Sequence, residues 1–106
     1  MESYDNNLIK EAINHYSHFY LNQKKVLSIL IDMEIDGQVV ATINDILQAS
    51  DSTRATVSTA IAFLNKYGII KNTNTNGVKF TGCQIIPSKL NEIIAHYNKK
   101  KNLIKK

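Results

Sequence analysis

The chain has one cysteine, one proline and no tryptophan, and arginine occurs once, at position 54. A single cysteine excludes an internal disulfide framework and suits a reducing compartment. No apolar run approaches the ~20 residues that a membrane-spanning helix needs. Met1 to Asp5 lacks the charged-then-apolar pattern of an export signal, so a cytoplasmic location away from membranes is expected. A Gly-rich phosphate loop, a Ser/His/Asp order and paired acids in a plausible cleft are all missing. No catalytic residue, cofactor or enzymatic activity is therefore expected. Internal repeats and low-complexity tracts are absent too, although Asn and Lys are abundant. What remains is 106 residues, 43% hydrophobic, with eight aromatics: enough for one domain, 1–106, with a modest core.

The organising stretch runs from Thr42 to Lys79. Thr42 opens a short helix over 43–49, and Asp45, three residues on, completes a capping-box arrangement. Ser50-Asp51-Ser52-Thr53 then offers side chains that bond backbone N–H groups instead of continuing a helix. A second helix follows to Tyr67 and closes at Gly68, the residue best suited to a left-handed C-terminal turn. Ile69-Ile70 begins a strand, Asn76-Gly77 marks a tight turn, and Val78-Lys79-Phe80 returns.

At 100° per residue, Val57, Ala60, Ile61 and Leu64 fall on one side of the second helix and form its core face. The opposite side carries Ala55, Ser58, Thr59, Ala62 and Lys66, with Arg54 and Thr56 at the flanks. Solvated helix faces usually carry Glu, Lys and Gln. This one is small, so its backbone can come close to another surface. Ser and Thr hydroxyls bond base edges or phosphates, Ala and Thr methyls meet thymine methyls, and Arg54 suits bidentate contact with guanine or phosphate. The competing explanation is a core helix of an ordinary all-α fold with a small outer face.

Charge divides along the chain. Up to Asp51 three lysines stand against eight acids, leaving −5; from Ser52 onward nine lysines and Arg54 stand against Glu92 alone, leaving +9. That asymmetry points to a polyanionic partner, most simply double-stranded DNA. Lys99-Lys100-Lys101 with Lys105-Lys106 can be a solvated tail, yet setting them aside leaves +4 on the same half.

In the remaining chain, 7–20 reads as an N-terminal helix with a stripe of Leu8, Ile9, Ala12, Ile13, Tyr16 and Phe19-Tyr20, long enough to expect packing on a second copy. Asn22 is expected to cap the next helix, with Val26, Leu27, Leu30, Ile31 and Met33 buried and Asp36-Gly37 ending it. Gln38 to Ala41 reads as a third strand for the hairpin. Pro87 stops the returning strand, and Ser88 is expected to cap a C-terminal helix over 88–104. His15, His18, His96 and Cys83 are the candidate metal ligands. With no second cysteine and no carboxylate at matching spacing, histidines at a surface or interface and no metal are expected.

Helix, short turn, helix and hairpin in this order resembles the winged helix-turn-helix of small bacterial, phage and archaeal regulators, including the MarR and ArsR types. The run Arg54-Ala55-Thr56-Val57-Ser58 with Ala60-Ile61, Leu64 and Gly68-Ile69-Ile70 carries the likeness. It implies a mainly α fold with a β-hairpin wing over 69–86, a helix-turn-helix over 42–67, and extra helices at both ends. It also implies a homodimer that binds duplex DNA and regulates transcription. Carried across, Thr53, Arg54, Ala55, Thr56, Ser58, Thr59 and Lys66 would contact the groove, and Lys71, Asn74, Asn76 and Lys79 would serve the wing. The helices at both ends are also similar to TubR-type partition adaptors, which would add centromere repeats and a filament-forming GTPase as partners. A winged domain used only for protein contacts is the third alternative.

Overall fold

The computed structural model describes residues 6–72 and 80–104. Its elements are α1 (Asn6–Asn14), α2 (Leu21–Met33), β1 (Gln38–Val40), α3 (Ile43–Gln48), α4 (Arg54–Tyr67), β2 (Ile70–Asn72), β3 (Gly82–Ile85) and α5 (Pro87–Ile104). The fold is mainly helical, with one small three-stranded antiparallel sheet in the order β1-β3-β2.

Local chemistry sets the boundaries around α3 and α4. The Thr42 hydroxyl accepts from the Asp45 N–H at 3.2 Å, and the Asp45 carboxylate accepts from the Thr42 N–H at 2.9 Å. These reciprocal bonds satisfy two donors that a helix start would otherwise leave open. Gly68, at φ +97°, ends α4 in the left-handed conformation. Its N–H bonds the Asn65 carbonyl and the Ile69 N–H bonds the Leu64 carbonyl, the paired bonds of a Schellman close.

Several expected boundaries move. The N-terminal helix stops at Asn14 rather than Tyr20, because residues 15–20 turn so that Tyr16 and Phe19 enter an aromatic cluster with Phe63 and Tyr67 of α4. Ring centroids there lie 5.0 Å apart for Tyr16–Phe19 and Phe19–Tyr67, and the Tyr16 and Tyr67 hydroxyls are hydrogen-bonded. Tyr20, not Asn22, precedes α2, and its N–H donates to the Gln23 side chain at 2.9 Å. α2 ends at Met33; Asp36 (φ 55°) and Gly37 (φ 83°) instead form a two-residue turn across which Ile35 and Gln38 exchange backbone bonds of 2.8 and 3.0 Å.

Gln38 to Val40 does form the third strand, paired to β3 at Val39↔Cys83. The returning strand begins at Gly82, later than Val78; the Asn76-Gly77 turn and Val78-Lys79 lie outside the described residues. α5 starts on Pro87, where the missing N–H costs nothing, so Ser88 sits inside the first turn rather than capping it.

Most of the apolar stripe of residues 8–20 is covered within the chain, although Tyr20 stays exposed. Ile9, Ala12, Ile13, Tyr16 and Phe19 are buried within the chain, where α1 packs on α5, whose Leu90, Ile93 and Ile94 are also buried. Lys10 and Asp32 tie α1 to α2 at 2.7 Å. Among the described residues no polar or charged residue is buried, so the core is held mainly by apolar burial and shape, with the Tyr16–Tyr67 hydroxyl bond at its edge.

Two predictions follow from this packing. An alanine Cβ at Gly82, already at φ +150°, would lie 2.3 Å from the Val39 carbonyl oxygen, so Gly82→Ala should cost more than about 2 kcal/mol in urea unfolding. A loss below about 0.5 kcal/mol would mean that β1 and β3 are not this close. Burial, then the bond to Tyr16, pushes the Tyr67 hydroxyl up from 10.0 to about 12, and burial lifts the Cys83 thiol from 9.0 to about 11. Both groups hold their protons more tightly when folded, so stability should fall as pH rises from about 9 to 12. Tyr67→Phe should flatten the upper part of that slope.

Candidate nucleic-acid interface

α4 is placed by its inner face. Val57, Ala60, Ile61 and Leu64 are buried, and the helix packs on α2 and α3. Burying Val57, Ile61 and Leu64 contributes roughly 1.5–3 kcal/mol each, which fixes the rotation of the helix about its axis. The opposite side is then forced outward: Arg54, Ala55, Ser58, Thr59, Ala62 and Lys66 are all exposed, and nothing from the described chain covers them.

The start of α4 is held by its own side chains. The Thr53 hydroxyl accepts from the Thr56 N–H at 3.2 Å and donates to the Thr56 hydroxyl at 3.0 Å. Both threonines are therefore partly committed to the cap, and Thr56 is half-buried. Ser58 and Thr59 carry the less encumbered hydroxyls. Arg54 reaches back across the turn, where one of its terminal N–H groups donates to the Asn44 side-chain oxygen on α3. Asp51, exposed in the same turn, is the nearby acid that no cap engages; Asp45 is bound to Thr42.

Lys66 lies in the last turn of α4, where a cation complements the helix dipole. Lys71 is exposed on β2, in register with Gln84, which is itself in register with Gln38. Gln38, Gln84 and Lys71 thus form a polar row across the outer face of the sheet, which also carries the exposed Val40. Asn74, Asn76 and Lys79 lie outside the described residues.

Sequence reasoning missed two features. Asn44 was not singled out, since nothing in the helical spacing connects it to Arg54. An open groove of about 310 Å³ also runs beside α4, between Tyr20, Asn22 and Gln23 at the start of α2 and Ala55, Thr56 and Thr59 on α4. Tyr20 stands 80% exposed at its rim; its position was hidden because residues 15–20 read as helix.

The histidines gather elsewhere. His15 stacks on Tyr97 at 5.4 Å, and His18 and His96 flank the Tyr16 ring at 5.0 and 5.5 Å. The Tyr97 hydroxyl bonds Glu11, which raises its pKa. Cys83 is buried in the sheet. Among the described residues no three His, Cys, Asp or Glu side chains come together as a metal would require. Among the same residues no helix is long and apolar enough to cross a membrane. No protein-family profile, curated protein or solved structure matches the chain.

Thr53→Ala should destabilise the fold by ~1 kcal/mol through the lost cap. Ser58→Ala, on the open face, should stay within about 0.5 kcal/mol of the parent. Thermal unfolding of both variants checks this, and an equal loss at Ser58 would mean that the face is not free.

Proposed function

We propose that this chain is a winged helix-turn-helix protein that binds double-stranded DNA with the outer face of α4 in the major groove, as a homodimeric regulator of transcription. The observation that carries the reading is the bareness of that face. Ala55, Ser58, Thr59 and Ala62 lift no long side chain above the helix, so the backbone can approach base edges. Arg54 and Lys66 stand at its two ends. A helix about 10–12 Å across with its side chains fits a groove about 12 Å wide.

Three further features support the reading. The element order α2-β1-α3-α4-β2-β3 and the sheet order β1-β3-β2 are those expected of a winged helix. Among the described cations of the C-terminal half, Arg54, Lys66 and Lys71 are exposed on α4 or on the strand that follows it, while Lys89, Lys99 and Lys100 lie on α5. Thr42, Thr53 and Gly68 hold the two helices by caps independent of any ligand. In a dimer, two copies of α4 would enter successive major grooves ~34 Å apart. Because the apolar residues Ile9, Ala12 and Ile13 of α1 are spent on the core of their own chain, the proposed dimer would use a surface other than that face.

The test is binding of the purified protein to a random-sequence duplex pool, followed by footprinting on the duplexes recovered. Arg54→Ala should weaken binding to those duplexes by ~1–3 kcal/mol while leaving unselected DNA less affected. Lys71→Ala should weaken binding to all sequences alike and lower the salt slope by about one. Paired half-sites one helical turn apart fit a regulator, whereas tandem arrays fit a partition adaptor. Absence of any salt-dependent duplex affinity would remove the DNA reading and leave a protein-contact module.

A further inference from the structure

We infer that Asn44 is a positioning residue for Arg54, holding its guanidinium in the pose that reads DNA; this rests on the proposed DNA-binding role of α4.

Asn44 lies in the first turn of α3 and Arg54 is the first residue of α4, and both are exposed. The Asn44 side-chain oxygen accepts from an Arg54 terminal N–H, so the contact spans the turn between the helices. Elsewhere on that turn side chains bond locally: Thr42 with Asp45, Thr53 with Thr56, Ser50 with the Ser52 N–H. The Asn44–Arg54 pair is the side-chain bond here that joins α3 to α4.

An unrestrained arginine samples many rotamers and loses that freedom on binding. A guanidinium has five N–H donors. One bond to Asn44 uses a single donor and leaves four, enough for the two parallel bonds that guanine O6 and N7 or a phosphate accept. The guanidinium contributes donors alone, so the four left over are matched to an acceptor-rich surface such as a phosphate or the O6/N7 edge of guanine.

The preorganisation is reversible and costs little stability, since both side chains are in water. Asn44 thus acts on binding rather than on folding. It also sets an order of importance: removal of Arg54 should abolish the effect of Asn44, but not the reverse.

The experiment is a double-mutant cycle of Asn44→Ala and Arg54→Ala. Affinity is measured for a duplex recovered from the random pool by the parent protein, and melting temperature is recorded for each variant. Asn44→Ala is expected to weaken binding about fivefold in the parent, the cost of immobilising one long side chain, and by less than about twofold in the Arg54→Ala background. Its melting temperature should match the parent's, and the loss should concentrate at the base pair that Arg54→Ala relaxes. Equal losses in both backgrounds would overturn the inference, because Asn44 would then contact DNA on its own account. So would an unchanged affinity in the parent. If instead the parent itself binds no duplex in a salt-dependent way, the DNA-binding reading fails, and the positioning role fails with it.

Discussion

Val57, Ala60, Ile61 and Leu64 of α4 are buried against α2 and α3, and the orientation of everything outside them depends on that contact. A helix that buries four residues at this spacing has no freedom to rotate, because a turn of one residue would expose most of them and bring polar groups inward in their place. Gly68 then stops the helix in a left-handed turn and passes the chain at once to Ile69 and Ile70, both buried, so the sheet is anchored to the end of the same helix. The aromatic cluster of Tyr16, Phe19, Phe63 and Tyr67 clamps that end from the other side. Core packing and the presentation of Ser58 and Thr59 are two consequences of one rotation.

Two positions of the outer face, Ser58 and Thr59, are costly in a helix. Ser and Thr are each less favourable than Ala by up to about 0.7 kcal/mol in a helix interior, and long charged residues would serve solubility better. Burial of the inner face, the Thr53 cap and the Gly68 close offset that cost. A face kept small at those positions fits the proposed close approach to DNA, as does the positive balance of residues 52–106.

Much of the middle of the molecule was legible in the sequence because its signals are local. The Thr42/Asp45 box, the Thr53 cap, Gly68 and the 3.6-residue spacing of Val57 to Leu64 each depend on residues within a turn of one another. β1 was legible for the same reason, as a short β-branched run after Asp36-Gly37. The N-terminal segment was not: Tyr16 and Phe19 continue a helical stripe on paper, but their partners are Phe63 and Tyr67, far along the chain, and that contact bends residues 15–20 out of the helix. The same stripe suggested a dimer arm, since an apolar face in sequence does not reveal which surface covers it; here α5 and α2 cover its first part and the aromatics of α4 its end. Asn44 escaped because its relation to Arg54 exists only once the turn between α3 and α4 is folded.

The most direct measurement is an NMR titration of isotopically labelled protein with duplex DNA. The account predicts that backbone amides of Arg54, Ala55, Ser58, Thr59 and Ala62 shift together, in proportion to the duplex added, while those of Glu92, Ala95 and Asn98 on the outer side of α5 stay put. Shifts centred on α5 or the outer sheet face, with α4 unmoved, would contradict it.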